Sequence, residues 1–251
     1  MKLKIMTFNL RTDTKGDGIN YFPNRTERIL ETIRKEQPDL IGFQEAREMA
    51  RAFLKEALSD TYTVLGCGRD KGYVGEGCLI AYRTELFDLL SFETRWLSNA
   101  PAVPGSRYEG SDQSSCNRLF LHAELIHKDM NAPIHFFNTH LDHKGKSAML
   151  LGMNQILQRI SECAGTFLLT GDMNALPDSD CIRLANAFEG MKDATAAISH
   201  SFHGYGAYTE TYKIDYIFTN GEPLSAYTVE DIPVNGVYIS DHYPVCAYIE
   251  V

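Results

Sequence analysis

Six apolar runs in this chain each end in a short polar cluster, and that pattern restricts it to folds whose buried strands deliver polar groups to a common rim. Asn9 follows IMTF, Gln44-Glu45 follow LIGF, and Asn138 and His140 follow or close HFF. Asp172 and Asn174 follow FLLTG, Asp215 interrupts KIDYIF, and Asp241-His242 lie in ISDHYPV. A strand that buries its apolar residues and then meets a carboxylate or imidazole carries that group to the sheet edge. Convergence of the four carboxylates has a cost: two unit charges ~4 Å apart repel by about 4 kcal/mol at an effective dielectric near 20. A hard divalent cation removes it, so Mg²⁺ or Mn²⁺, as one or two ions, is the expected guest.

The intervening pattern supplies the sheets and their cover. Leu3–Asn9 alternates as a strand, and Asn24 with Glu27 three residues on reads as a capping box opening a helix whose apolar face is Ile29, Leu30 and Ile33. Pro38 stops that helix before a strand at Leu40–Phe43, and a second helix covers Glu48–Leu58. Strands are expected at Thr63–Leu65, Leu79–Arg83, Phe87–Phe92, Leu119–Ile126 and Ile134–Asn138. Further strands fall at Phe167–Leu169, Ile214–Phe218, Ala226–Glu230 and Val245–Val251, with helices at Lys146–Cys163 and Ser179–Phe188. Many strands with four helices indicate an α/β (α+β) fold of mixed sheets covered by helices. No linker or repeat divides residues 1–251, which are read as one domain.

Two aperiodic segments, Asn99–Asn117 and Ser199–Glu210, are expected to shape a substrate pocket. They bring Tyr108, and His203, to the candidate list, and Arg118 directly follows the first as a phosphate clamp or salt-bridge partner. Glu45 and Asp241 are the hard-oxygen metal candidates, with Asn9 able to hold a ligand water or a phosphate oxygen. Asp172 and Asn174, two residues apart, point the same way in an extended segment. Asp215 stands in an apolar strand and needs a partner, which His242 can supply. Either His242 or Asp172 can take the proton of the attacking water. His140 can protonate or stabilise a leaving oxygen, with Glu76 orienting it and Asn138 beside it. His122, His127 and His135 read as structural. The six cysteines show no C-x-x-C spacing and read as reduced residues, which makes a cytoplasmic location the expectation.

The ordered set FNLR, LIGFQE, NTHLDH, TGDMN, KIDYIF and SDHYPV, spanning residues 7–244, resembles the endonuclease/exonuclease/phosphatase superfamily. The resemblance implies a deoxyribonuclease-I-like four-layer α/β/β/α sandwich of two mixed sheets with its site at one rim. It also implies that Asn9, Glu45, Asp172, Asn174, Asp241 and His242 form the metal and phosphate constellation, that Asp215 partners His242, and that His140 takes the leaving-group position. WLSNAP, the Gly-Pro-rich loop and NTHLDH are similar to a bacterial branch of small hydrolases. Met149 stands where that branch commonly has an arginine, and Tyr108 where it often has a tryptophan, so specificity does not carry over.

A formal charge of −9 and the absence of a basic run disfavour, without excluding, a nucleic-acid surface. No apolar stretch reaches the ~18 residues that span a membrane. The reading is therefore a divalent-metal-dependent phosphomonoesterase or phosphodiesterase acting on a small or lipid-like ester, with a monomer as the default state. A nuclease is the alternative, and a catalytically silent binding module the remote one.

Overall fold

The computed structural model describes residues 1–208 and 212–251; Glu210, the far end of the second expected loop, lies outside them. The chain runs β1 (Lys2–Asn9), α1 (Thr26–Glu36), β2 (Leu40–Ala46), α2 (Glu48–Ala57), β3 (Tyr62–Gly68), β4 (Gly77–Arg83), β5 (Phe87–Trp96), β6 (Leu119–His127) and β7 (Ile134–His140). It continues through α3 (Lys146–Ser161), β8 (Thr166–Asp172), α4 (Asp180–Asn186), the two-residue β9 (Lys192–Asp193), β10 (Asp215–Thr219), β11 (Glu222–Thr228) and β12 (Val245–Glu250). These strands form two six-stranded sheets, ordered β11-β12-β1-β2-β4-β3 and β5-β6-β7-β8-β10-β9. The pairs β1–β2 and β7–β8 are parallel and the other pairings antiparallel, so both sheets are mixed.

Adjacent residues in the central strands face different layers, which explains their nearly continuous apolar sequence. Phe136, Leu168 and Ile217 enter the core between the sheets with Ile5 and Leu40. Their neighbours Phe137, Leu169, Tyr216 and Phe218 face α3 and α4, whereas Phe8, Ile41 and Phe43 face α1 and α2. The result is the α/β/β/α sandwich of the deoxyribonuclease-I-like class.

Three local expectations need correction. Asn24 ends a short 3-10 turn and donates from Nδ2 to the Ile19 carbonyl at 3.0 Å; Arg25 takes the N-cap position with no side-chain cap, so the capping box does not form. β3 extends past Leu65 to Gly68, because its partner β4 starts at Gly77 and keeps the ladder going. β11 begins at Glu222, ahead of the expected Ala226, where it pairs with Glu250.

Arg25 is fully buried, and its guanidinium donates to the carbonyls of Asn20 and Leu10 at 2.6 Å, Ile239 at 2.7 Å and Arg11 at 3.1 Å. These bonds fasten the turn leaving β1 to the segment approaching Asp241.

Candidate active site

Strand direction gathers the polar clusters. β1, β2, β7 and β8 finish at one rim with Asn9, Glu45 near the end of β2, His140 and Asp172; β10 starts there with Asp215, while Asp241-His242 lead into β12. Registers bind the set together, since Asp172 pairs with both Asp215 and His140. The two sheets meet through Asn9, whose Nδ2 donates to Glu45 Oε1 at 3.1 Å and Asp172 Oδ2 at 2.9 Å.

Backbone strain helps to aim these groups. Glu45 has φ 59° beside a β-bulge between Phe43 and Ala46, and Asn174 has φ 50°. A left-handed conformation costs a non-glycine residue roughly 1–2 kcal/mol, which the surrounding hydrogen bonds must offset. Glu45 Oε2 accepts from Thr12 N at 2.9 Å, and Asn174 donates from N to Asp172 Oδ1 at 2.9 Å and from Nδ2 to the Leu141 carbonyl at 3.1 Å.

Asp215 and His242 form a buried pair, with Nδ1 and Oδ2 2.8 Å apart. His242 Nε2 then faces Asp172 Oδ2 at 3.8 Å and Asp241 Oδ1 at 4.0 Å. Burial opposes the imidazolium, but Asp215, Asp241 and Asp172 outweigh it and push the His242 pKa up to about 10. Burial, reinforced by Asp215, pushes the Asp172 carboxyl up to about 7. Burial also raises Asp241, whereas Glu45 falls below its ordinary value because His242, Asn9 and Thr12 overcome its desolvation. His140 lies 3.5 Å from Asp172 through Nε2 and is held well below its usual pKa by burial, Arg118 and Arg69.

The acidic end retains unused oxygen donors. Among the described residues Asp215 Oδ1 is buried without a partner, while Asp241 has Ser240 Oγ at 3.4 Å, Arg11 Nε at 3.8 Å and His242 Nε2 at 4.0 Å. Unfilled carboxylate acceptors of this kind fit a hard divalent cation. Glu45 and Asp241 could hold one, with Asp172 adjacent; Glu45, His140 and Asp172 also bring ligand atoms within 4.8 Å of one another, as do Asp172, Asp215 and His242. Asn9 Oδ1 accepts from Arg11 N at 2.8 Å and keeps a second lone pair, while its Nδ2 orients Glu45.

The opposite wall of the cleft is cationic. Arg118, only 4% exposed, approaches His143 Nδ1 at 3.1 Å through Nη2, and its Nε and Nη1 have no partner among the described residues. Arg69 joins it along a cleft that also contains Glu45, Glu76 and His140. Glu76 pairs with Arg69 at 2.6 Å, which corrects the expectation that it orients His140. Arg69 escaped the sequence reading because a strand ending at Leu65 leaves it in a remote turn, whereas extension to Gly68 sets it on the rim. Beside Asn174 opens a groove of about 510 Å³, lined by His143, Lys144, Lys146, Met149 and Leu176 among others.

Three expected substrate contacts are placed elsewhere. Asn138 is buried between the sheets: Nδ2 donates to the carbonyls of Phe43 and Leu79 at 2.8 Å, and Oδ1 accepts from Gln44 Nε2 at 2.7 Å and Thr170 Oγ1 at 3.1 Å. Its amide is consumed by sheet packing. Asn138→Leu is expected to take this donor from the two carbonyls and cost roughly 2–6 kcal/mol, at ~1–3 kcal/mol per stranded buried group, measured by urea unfolding. Tyr108 enters the core under α3, where its hydroxyl donates to Gln155. His203 stacks on Tyr243 at 4.1 Å, accepts from Gly206 N at 3.3 Å and donates its backbone N–H to the Asp241 carbonyl, so it backs the site wall.

The first long loop is similarly tied down. Asp142 accepts from Ser114 N and Oγ, Lys144 N and Gly145 N, while Asp112 caps the start of α3 by accepting from Ser147 N and Ala148 N, both at 3.0 Å. It braces the Arg118 side of the cleft through these contacts.

The comparisons agree with this geometry. The model of the Endonuclease/Exonuclease/phosphatase family matches residues 6–242. An endonuclease/exonuclease/phosphatase structure from Bacteroides vulgatus is 30% identical, with a TM-score of 0.91 over 100% of this chain and 99% of that one. A mannosyl-6-phosphatase from Bacteroides thetaiotaomicron is 26% identical, with a TM-score of 0.88 over 99% of this chain and 100% of that one. TDP2 from D. rerio, complexed with a single-strand DNA product, is 16% identical at a TM-score of 0.77 over 100% and 99% of the two chains, a likeness of fold alone. The fold and rim define a phosphate-ester hydrolase class. The chain belongs to the endonuclease/exonuclease/phosphatase family.

Among the described residues no helix is long and apolar enough to cross a membrane. All six cysteines are free, with Cys78, Cys181 and Cys246 buried and Cys67, Cys116 and Cys163 partly exposed.

Proposed function

We propose that this chain hydrolyses a small phosphate ester with Mg²⁺ or Mn²⁺ bound at Glu45 and Asp241. The observation that carries the reading is a cleft lined on one wall by Glu45 and His140, beside the carboxylate rim where Asp215 Oδ1 has no partner among the described residues, and on the other by two arginines bearing unpartnered N–H groups. The first wall suits a cation and the second a phosphoryl anion. The mannosyl-6-phosphatase, aligned over its whole length, supports a sugar-phosphate-sized substrate. The groove beside Asn174 has room for the ester's organic part.

When bound, the cation supplies charge neutralisation on the phosphoryl oxygens and lowers the pKa of coordinated water. The remaining work falls to side chains. Asp172, with its pKa near operating pH, orients the attacking water and takes its proton. His242, held as an imidazolium by Asp215, directs Nε2–H at the charge that develops on phosphorus-bound oxygen. Asn174 lies beside the same oxygens, and Arg118 fixes the phosphoryl group from across the cleft. Neutral His140 stands where a leaving oxygen needs a hydrogen-bond donor.

Arg118→Met should lower kcat/KM by the ~1.5–3 kcal/mol of a charge-assisted hydrogen bond, roughly 10–150-fold, with the fold intact. Arg118→Lys should recover only part, because a point charge does not reproduce the planar fork. Steady-state kinetics on a sugar phosphate checks this, and unchanged kinetics in the Met variant would remove Arg118 from phosphate binding.

A nuclease is the second reading, favoured by Lys144, Lys146 and Arg183 along the groove. Asp178 and Asp180 stand among them and weaken that strip as a phosphate track.

A further inference from the structure

His122 on β6, His135 on β7 and Cys163 just beyond α3 bring three ligand atoms within 4.8 Å of one another. They lie on the helix-covered face of the second sheet, where His122 stacks on Phe137 at 4.2 Å. His135 stands five residues before His140 on the same strand, so the group is roughly 17 Å along β7 from the catalytic rim at ~3.3 Å per residue.

Proton bookkeeping makes this cluster unusual. His122 Nδ1 lies 3.1 Å from Glu93 Oε1, and His135 Nε2 lies 3.1 Å from the Ala164 carbonyl oxygen. Glu93 is also paired with Arg159 Nε at 2.6 Å and Arg95 Nε at 2.7 Å, which keeps it ionised. Carboxylate and carbonyl oxygens only accept, so both outer ring nitrogens carry hydrogen. The inner nitrogens, His122 Nε2 and His135 Nδ1, face each other at 3.1 Å. In neutral imidazoles both then present lone pairs, and two lone pairs do not make a hydrogen bond. A positive centre, either a proton or a metal ion, must lie between them.

The third group selects the metal. Two nitrogens at ~2.0–2.1 Å from a tetrahedral zinc are about 3.3 Å apart, close to the separation seen. Outer bonds to a carboxylate and a carbonyl are the contacts that fix the tautomer of ligating imidazoles. Cys163 Sγ donates to the Arg159 carbonyl at 3.4 Å and lies 3.5 Å from Arg159 Nη1; burial pushes its thiol up while that guanidinium pulls the other way, so a soft cation would displace the thiol proton on binding. A shared proton explains two facing imidazoles but gives the neighbouring sulfur no part. Two imidazoles and a thiolate are a soft set, unlike the hard oxygens of the catalytic rim. We propose that His122, His135 and Cys163 form a second, zinc-binding site that fastens the end of α3 to β6 and β7, with water completing the coordination.

The test is Co²⁺ titration of the metal-stripped full chain in excess Mg²⁺. The expected result is a thiolate-to-cobalt charge-transfer band that saturates at one equivalent and is displaced by Zn²⁺. Cys163→Ser should abolish it, His122→Gln should weaken cobalt binding at least about tenfold, and Cys78→Ser, in the catalytic cleft, should retain it. Zn²⁺ should raise the melting temperature of the wild type but not of Cys163→Ser, which should match wild type in chelator if its fold is intact. Absence of the band in the wild type overturns the proposal and leaves the nitrogens bridged by a proton. Survival of the band in Cys163→Ser, or its loss in Cys78→Ser, also overturns it.

Discussion

Removal of divalent cations is expected to abolish phosphate-ester turnover, with Mg²⁺ or Mn²⁺ restoring it. The cause is the rim itself: Glu45, Asp172, Asp215 and Asp241 converge around unfilled oxygen donors that a hard cation would satisfy. Glu45→Gln keeps the shape and removes one charge. Its metal affinity should fall by more than the ~10–100-fold typical of residues that only orient ligands. In chelator the variant should melt no lower than wild type, because it relieves carboxylate repulsion. Calorimetric Mn²⁺ titration and melting curves measure both effects. Undiminished turnover by Glu45→Gln in chelator would refute the metal role.

The second large effect concerns Asp215 and His242, which should behave as one unit. Each Ala variant should lose on the order of 10²–10⁴-fold in kcat, the range of acid–base assistance. The double variant should lose little more than either single one, since coupled residues are non-additive. The pH dependence carries the sign. In the wild type the surrounding carboxylates hold His242 charged well above its ordinary range, up to about 10 before a cation binds beside it, and activity falls with decreasing pH as Asp172 protonates, at or below about 7 once a cation is bound. Removing Asp215 withdraws the charge that holds His242 protonated, so its pKa should drop toward the ordinary ~6.5. Residual activity of Asp215→Ala should then decline as pH rises through that region. Losses that multiply in the double variant would show independent residues.

Much of this site was legible because an apolar run that ends in a carboxylate or imidazole marks where a strand leaves the core. Glu45, His140 and Asp172 obey that rule, Asn9 ends its strand in the same way with an amide, and Asp215 and Asp241-His242 mark the mirror case, where the chain enters a strand from the same rim. Asn138 obeys it in sequence but fails in space: it falls two residues short of the rim, where its amide meets the opposite sheet. Arg69 was hidden by the unforeseen extension of β3, and Arg25 because its partners are backbone carbonyls that leave no sequence trace. Tyr108 shows the limit of reading loops by composition, since the Gly- and Pro-rich segment folds inward through Asp112 and Asp142 and buries the ring.

The central claim is cation-dependent cleavage of a compact phosphate ester, and one comparison tests it most directly. kcat/KM should be measured for sugar phosphates, phospholipid head groups and nucleotides against plasmid nicking, with the same Mg²⁺ or Mn²⁺ and at physiological salt. Metal-dependent turnover should be greatest on a compact ester, with plasmid nicking slow and falling steeply as salt rises. Plasmid nicking that exceeds every compact ester at that salt, or ester turnover that persists in chelator, would contradict the account.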